Sequence, residues 1–247
     1  MPPLKMTSRL PLSGVARAAA VTALIVGAAW SLPGSRAAEP AVPLPPPTVD
    51  LAPSQDGLQT AVLAGGCFWG VQAVYQHTEG VVRAMSGYSG DSRQTAVYEI
   101  VSAGRTKHAE AVEVRFDPKK ISYGRILQIF FSVAHNPTEL DRQGPDIGPQ
   151  YRSAIFYADD EQKRIAEAYI RQLDDAKRFK GPIVTRLEKL SMFYPAEAYH
   201  QDYAIKHPNQ PYIAINDLPK IENLKRVIPD VYRATPVTVA AATAGRQ

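Results

Sequence analysis

A single cysteine, Cys67, constrains this chain more than any other feature of its sequence. One thiol cannot form an internal disulfide, and it cannot supply a Cys-rich zinc or iron–sulfur site. An apolar core must therefore hold the fold, and 247 residues with 45% hydrophobic side chains are enough to build one. Any redox reaction of Cys67 must therefore involve side chains other than cysteine or a second molecule.

Residues 1–37 have the pattern of an export signal. Their charged side chains are all basic: Lys5, Arg9, Arg17 and Arg36. The stretch 18–32 is uncharged and mostly apolar, and small residues at Ser35 and Ala37 suit a cleavage site. We predict cleavage after Ala37 and export to the periplasm. The alternative is an uncleaved amino-terminal anchor in the inner membrane.

The rest of the chain is electrically neutral. Removing the four basic residues of the leader from 28 leaves 24 basic residues against 24 acidic ones. A nucleic-acid partner, which would require clustered excess Lys and Arg, is therefore not expected.

Composition divides the remainder into three parts. Residues 38–57 carry six prolines and predict an extended linker. Residues 58–233 alternate apolar patterns with turn signals and predict one domain. Residues 234–247 are small and weakly patterned, and they predict a flexible tail.

Strand and helix patterns interleave along 58–233 and predict an α+β sandwich around one mixed sheet. Strands are expected at 60–64, 81–85, 109–116, 153–158 and 184–190, with a glycine-rich loop at 86–90. Helices are expected after Cys67, after a cap at Ser122, and from Asp159 or Asp160. The last of these should bury Ile165, Tyr169, Leu173 and Ala176.

Cys67 is the first candidate for chemistry, within Gly-Cys-Phe-Trp-Gly at 66–70. It follows the Gly65-Gly66 turn and stands where a helix begins. Free amides and the helix dipole at such a position stabilise a thiolate and favour a nucleophile. The alternative is a small buried hydrophobic residue without reactivity.

Glu110 is the second candidate. Alternation along 109–116 places it on the same strand face as Val112, Val114 and Phe116, where desolvation favours the protonated carboxyl. Such a group donates protons near neutral pH. The alternative is a strand end from which Glu110 reaches solvent.

The long loop from His135 to Arg152 is the third candidate, because its segment 142–152 combines turn residues with hydrogen-bonding side chains. The alternative is a solvated surface loop. The histidines show no metal-binding pattern. A hydrolase dyad of Cys67 with His108 or His135 stays open, because such partners meet in space rather than in sequence.

Five motifs in one order resemble the A type of peptide methionine sulfoxide reductase. They are Gly-Cys-Phe-Trp-Gly at 66–70, Gly-Tyr-Ser-Gly at 87–90, His-Ala-Glu at 108–110, Ile-Ser-Tyr at 121–123 and Gln-Tyr-Arg-Ser at 150–153. The resemblance covers roughly residues 58–203. It implies an α+β two-layer sandwich with a ferredoxin-like core, and reduction of methionine S-sulfoxide, free or in proteins.

The resemblance also implies roles for seven residues. Cys67 attacks the sulfoxide sulfur and becomes a sulfenic acid, and Glu110 protonates the oxygen. Hydrogen bonds to that oxygen come from Tyr98 and Tyr151, and Asp146 helps to hold the site. Phe68 and Trp69 surround the methyl group of the substrate.

Departures from the family pattern affect recycling and two loops. Many members carry a resolving cysteine where this chain has Ser102, so an external thiol such as thioredoxin must regenerate Cys67. Asp91 and Lys107 stand where glycine is usual. We expect no cofactor or metal, and a monomer whose partners are oxidised proteins or peptides, free methionine sulfoxide and the reductant. The alternative function is an exported redox-sensing thiol or a peptide-binding module without turnover.

Overall fold

A six-stranded mixed sheet lies at the centre of the part of the chain that this computed structural model describes, residues 40–51 and 57–244. In chain order the strands are β1 (Gln59–Gly65), β2 (Val81–Ser89), β3 (Ala109–Phe116), β4 (Arg142–Gln143), β5 (Asp146–Ile147), β6 (Ser153–Tyr157), β7 (Arg186–Lys189) and β8 (Phe193–Pro195). The sheet has the order β7-β6-β1-β3-β2-β8, and β4 and β5 form a separate ribbon. β6 and β7 are parallel, whereas the other neighbours are antiparallel. The predicted α+β class with a mixed sheet is confirmed.

Helices pack on this sheet. They are α1 (Phe68–Gln76), α2 (Tyr98–Val101), α3 (Tyr123–Ile129), α4 (Asp160–Asp175), α5 (Tyr203–Lys206), α6 (Leu218–Val227) and α7 (Val239–Ala244). π-Helical segments at Phe130–Ala134 and Ile213–Asp217 extend α3 and precede α6. Within the described residues, no helix combines the length and the apolar character needed to cross a membrane. The predicted leader, residues 1–37, lies outside the described residues.

β3 divides the core between the two faces of the sheet. Its residues Val112, Val114 and Phe116 are buried in the main core together with side chains of α1, α3 and α4. Ala109 and Ala111 are buried in a smaller cluster on the opposite face. This alternation confirms the predicted strand and places the side chain of residue 110 on the helical side of the sheet.

The predicted glycine-rich loop at 86–90 is wrong, because residues 86–89 continue β2. Gly87 pairs with Ala111 on one side and with Pro195 on the other. A Cβ added to Gly87 would lie 2.3 Å from the carbonyl oxygen of Tyr194, so this glycine permits close strand packing rather than a turn.

Helix α4 begins at the predicted cap, because the Asp159 side chain accepts the amide of Gln162. Ile165, Tyr169 and Leu173 are buried as predicted. Ala176 is exposed, contrary to the prediction. It occupies the C-cap position, where the helix ends and its inward face is lost.

Residues 40–51, assigned to a linker from their prolines, belong to the packed body instead. Leu44 is buried in the main core. Asp50 accepts the amide of Gly124 at 2.7 Å and the hydroxyl of Ser122 at 2.5 Å. Ser122 in turn accepts the amide of Arg125, as the predicted cap requires. The segment therefore completes the amino-terminal end of α3.

The predicted flexible tail, 234–247, is wrong over residues 237–244. The Val237 amide donates to the Gln76 carbonyl at 3.0 Å. The Val239 amide donates to the Asp202 carboxylate at 2.9 Å, and α7 follows. Two backbone donors thus attach this segment to the body of the protein.

Candidate active site

Cys67 lies at the turn between β1 and α1, as the sequence predicts. It is the N-cap residue of α1, directly after Gly66. The φ angle of Gly66 is +88°, and an added Cβ would lie 2.5 Å from Cβ of Gln143. Only glycine fits here without strain, so the second glycine of the turn fixes where Cys67 points.

Cys67 holds its proton more firmly than expected for a cysteine at a helix start. Its side chain is 8% exposed. Burial raises the pKa of Cys67 well above its usual value, and the charges of Glu110 and Asp217 raise it further, although the Trp69 amide opposes them. The Trp69 amide acts in the predicted direction, but desolvation and the nearby carboxylates outweigh this one amide and favour the thiol.

Glu110 lies beside Cys67 and is 3% exposed, so the alternative of a solvent-facing strand end is excluded. Its Oε2 accepts the amide of Phe68 at 3.1 Å. Burial raises the pKa of Glu110 to about 8; the Phe68 amide lowers it, and the charges of Asp146 and Asp217 raise it. A carboxyl with this pKa is mostly protonated at neutral pH.

The 142–152 loop brings Asp146 to the same place. Asp146 lies in β5 and accepts a hydrogen bond from the hydroxyl of Tyr212. Burial raises the pKa of Asp146, and the Tyr212 hydrogen bond and the Lys220 charge oppose the rise. The loop is therefore part of the site rather than a solvated surface loop.

Two tyrosines, Tyr98 and Tyr151, lie near Glu110 and Asp146. Tyr151 ends a short 3₁₀ turn, Pro149–Tyr151, and Tyr98 begins α2. Burial raises the pKa of Tyr151, and the charges of Glu110 and Asp146 raise it further. Burial also raises the pKa of Tyr98, followed by Glu110 and Cys67. The five residues predicted for catalysis are therefore close enough together that the charge of one shifts the pKa of another. They are Cys67, Glu110, Tyr98, Asp146 and Tyr151.

Aromatic rings form the remaining wall. The Trp69 ring stacks on Tyr203 at 4.0 Å between centroids, and its Nε1 donates to Nδ1 of His200 at 3.1 Å. Phe68 is 1% exposed and packs edge-on against His200 at 5.0 Å. Trp69 is only partly buried, so it is the more open of the two aromatic residues predicted to contact substrate.

Sequence reasoning missed four side chains of this site, all from the segment 197–217. They are His200, Tyr203, Tyr212 and Asp217. The density of tyrosine and histidine between 199 and 212 was the available signal. Their contacts with α1 and β5 depend on tertiary folding and leave no periodic pattern.

Glu197 from the same segment connects the wall to Tyr98. One carboxylate oxygen accepts the Tyr98 amide at 3.0 Å, and the other accepts the Tyr88 hydroxyl at 2.9 Å. The backbone of Tyr98 is therefore held by a side chain 99 positions away, and its ring lies 4.6 Å from that of His200.

Asp91 and Lys107, the two departures from the family pattern, contact each other. The Asp91 carboxylate accepts the Lys107 amide at 2.8 Å and the Ser92 amide at 2.7 Å. These hydrogen bonds lower the pKa of Asp91. The Lys107 carbonyl accepts Arg152 at 2.9 Å. Together they join the end of β2 to the start of β3, next to Glu110.

The histidines considered for a hydrolase dyad have other partners. Nδ1 of His135 lies 3.0 Å from the Phe130 carbonyl, and Nε2 lies 2.7 Å from the Ser153 hydroxyl. Nε2 of His108 lies 2.9 Å from the Ser92 carbonyl. With both nitrogens engaged, His135 has none left to activate Cys67.

The arrangement joins a buried thiol, a protonated carboxyl, two tyrosine hydroxyls and an aromatic wall. A substrate that fits has a small polar oxygen for the proton donors and an apolar substituent for the rings. The site therefore suits a reaction in which the Cys67 sulfur attacks an atom of the substrate while the oxygen bonded to that atom is protonated.

Comparison with known proteins gives the same picture. A family model described as peptide methionine sulfoxide reductase matches residues 59–231. A peptide methionine sulfoxide reductase of Mesorhizobium japonicum is 57% identical over 187 residues, covering 76% of this chain and 96% of the relative. One from Synechocystis is 46% identical over 194 residues, covering 77% and 91%.

Solved structures agree in fold. The reduced form of Mxr1 from Saccharomyces cerevisiae has a TM-score of 0.57 at 31% identity, covering 64% of this chain and 91% of that one. Methionine sulfoxide reductase A of Corynebacterium diphtheriae has a TM-score of 0.54 at 32% identity, covering 70% and 86%.

Proposed function

Because the chain belongs to the peptide methionine sulfoxide reductase family, we propose that Cys67 and Glu110 are the nucleophile and the acid with which it reduces methionine S-sulfoxide. The enzyme is an oxidoreductase that repairs oxidised methionine. One observation carries the assignment. The amide that follows Cys67 holds the Glu110 carboxyl at 3.1 Å, where burial keeps that carboxyl protonated.

The chemistry requires this combination. Sulfoxide sulfur is a poor electrophile until its oxygen is protonated. Glu110 gives its proton to the oxygen, and the sulfur of Cys67 attacks the substrate sulfur. The bond that forms between the two sulfurs breaks again as the protonated oxygen leaves the substrate sulfur and bonds to the sulfur of Cys67, which becomes a sulfenic acid. The thiol proton replaces the one that Glu110 gave, and methionine leaves with its sulfur reduced by two electrons.

The other site residues orient the sulfoxide. The hydroxyls of Tyr98 and Tyr151 donate to its oxygen. Asp146 helps to hold the site through the hydrogen bond that it accepts from Tyr212. The partly buried ring of Trp69 accepts the methyl group, next to Phe68. Their proximity to Cys67 and Glu110 supports these roles.

Regeneration uses a thiol from outside the chain. Cys67 is the single cysteine, so its sulfenic acid has no partner in the same molecule. One thiol of a dithiol reductant attacks the sulfenic acid, water leaves, and a mixed disulfide forms. The second thiol of the reductant then closes its own disulfide and frees Cys67. A thioredoxin-like protein fits this requirement.

The test is an assay of the purified protein on both sulfoxide epimers with a small dithiol. The S epimer should be reduced, and Cys67→Ser should abolish turnover. Glu110→Gln keeps the shape but removes the proton, so activity should fall by roughly 10²- to 10⁴-fold. Glu113→Gln on the same strand, which breaks an ion pair with Arg83, is the matched control and should stay active.

A redox sensor or peptide-binding module would bind the sulfoxide peptide and leave it unreduced. Absence of turnover with wild-type protein would therefore support that alternative. Full activity of Glu110→Gln would instead move the proton donor to another group.

We also propose that the mature protein starts after Ala37 and works outside the cytoplasm. The basic start and apolar run of residues 1–37 support this proposal. Amino-terminal sequencing of protein from a cell-envelope fraction should find Ala38 first. A soluble cytoplasmic protein that still begins at Met1 or Pro2 would refute it, and an envelope protein with an intact start would indicate the anchored form.

A further inference from the structure

Asp217 is a buried carboxylate that the reaction above does not use. Its side chain is 0% exposed, and neither oxygen has a hydrogen-bond partner among the described residues. Its ion-pair partner is Lys220, whose Nζ lies 3.6 Å from Oδ1 and whose side chain is 14% exposed. Burying a carboxylate without hydrogen bonds is unfavourable, so its position requires a reason.

Asp217 does not cap its own helix. It is the N-cap residue of α6, where aspartate usually accepts a backbone amide, yet its side chain makes no such bond. It is aimed instead at the first turn of α1. A Cβ added to Gly70 would lie 2.2 Å from Oδ1 of Asp217 and 2.9 Å from Nζ of Lys220. The pair therefore sits against the helical turn that carries Cys67, and glycine at position 70 makes room for it.

Several ionisable groups surround the pair: Cys67, Glu110, Asp146 and Tyr212. Burial raises the pKa of Asp217 to about 6, and Lys220 opposes the rise. The negative charge of Asp217 contributes to the raised pKa of both Cys67 and Glu110. Lys220 acts in the opposite sense on Asp146 as well.

We propose that Asp217 and Lys220 are positioning residues of the reductase, whose opposite charges, packed against the first turn of α1 at Gly70, adjust the electrostatic environment of Cys67 and Glu110 before the sulfoxide binds. Asp217 adds to the effect of burial in favouring the protonated forms of both groups, and Lys220 limits that contribution. The proposal rests on the assignment of Cys67 and Glu110 as the reacting groups.

The single cysteine makes the test direct, because every thiolate signal comes from Cys67. The rate of alkylation by iodoacetamide is measured against pH, together with the ultraviolet absorbance of the thiolate. Asp217→Asn should shift the thiol titration to lower pH by roughly one unit, which raises alkylation at pH 8 roughly tenfold. Lys220→Met should shift the thiol titration to higher pH, because Cys67 titrates in the alkaline range, where Asp217 is ionised and its charge is then unopposed. The double variant should lie near wild type.

The exposed Lys163–Glu167 pair on α4, with its charges 3.7 Å apart, supplies the control. Lys163→Met and Glu167→Gln should leave the thiol titration unchanged. A second readout is the pH dependence of methionine release in a single turnover, whose alkaline fall should move to lower pH in Asp217→Asn because Glu110 loses its proton more readily.

A purely structural pair would lower the unfolding temperature of both variants without moving the titration in opposite directions. Titrations that stay unchanged, or that move the same way in both variants, overturn the proposal. If Asp217→Asn does not fold, Lys220→Met decides alone, because its alkylation must become slower.

Alkylation needs no sulfoxide, so the two proposals fail separately. Opposite shifts in a chain that does not reduce sulfoxide would refute the proposed function and leave the electrostatic effect of the pair. Unshifted titrations in an active chain would refute only the proposal about Asp217 and Lys220.

Discussion

The amide of Phe68 donates to Oε2 of Glu110 across 3.1 Å, so the first turn of α1 holds the carboxyl that lies beside Cys67. This hydrogen bond ties a residue of the helix to a residue of the central strand β3. Nucleophile and acid are thereby fixed by two packed elements rather than by mobile loops, which favours a constant geometry between them.

Glu110→Gln should make the fold more stable at neutral pH. In the folded chain the pKa of Glu110 is raised from 4.5 to about 8, whereas the unfolded chain ionises near the lower value. Wild-type stability therefore falls as the pH rises from about 4.5 to about 8. Glutamine cannot ionise, so at pH 7 the variant should gain up to about 3 kcal/mol in free energy of unfolding.

Denaturant unfolding of both proteins at pH 4 and pH 7 measures this difference. The gain should be absent at pH 4, where the carboxyl is protonated in both states. An equal gain at the two pH values would show that packing of the amide, and not ionisation, is responsible.

The chemical step should slow as the pH rises through about 8. Glu110 must carry the proton that it delivers, and above its pKa of about 8 that proton is lost. Rapid-quench measurement of methionine release in a single turnover isolates this step from the reductant. A rate that climbs steadily through pH 9 would assign the proton to another group.

Without a reductant, the reaction should stop after one turnover. Reduced protein mixed with excess sulfoxide should release about one methionine per chain and gain one oxygen, and a sulfenic-acid probe should label Cys67, because no second thiol is present. Mass spectrometry and amino-acid analysis provide the readouts. Repeated turnover in the absence of any thiol is incompatible with this mechanism.

Asp50→Ala should destabilise the protein by about 1–2 kcal/mol, because it removes two hydrogen bonds at the start of α3. The shift of the denaturation midpoint measures the loss. The control is Asp230→Ala, which breaks an exposed ion pair with Arg125 of α3. It should have a smaller effect. Equal effects would mean that Asp50 does not act as a cap.

Local patterns predicted the parts of the site that belong to regular elements. The Gly65-Gly66 turn placed Cys67 at the start of α1, and the alternation of β3 turned Glu110 inward. Both depend on neighbours in sequence. The raised pKa of Cys67 has no local signal in the sequence, because its causes are burial and then the charges of carboxylates that distant segments bring close.

The aromatic wall could not be predicted in the same way. Trp69 and His200 are 131 positions apart, and their hydrogen bond forms only when the segment after β8 folds back over α1. Asp217 stands at the start of α6 without capping it, and no local pattern in the sequence indicates its place against α1. The proline-rich segment looked like a linker because proline lacks an amide donor, yet its carbonyls accept from Tyr169 and Gln172.

The contact between Asp91 and Lys107 makes the two positions unequal under substitution. The carboxylate at 91 accepts the backbone amide of position 107, and the carbonyl of position 107 accepts Arg152. Glycine at 91 would lose the link between the two loops, because glycine has no carboxylate. Every residue except proline supplies an amide at 107, so replacement of Lys107 leaves these hydrogen bonds in place. The link between the end of β2 and the start of β3 therefore depends on the residue at 91 and tolerates exchange at 107.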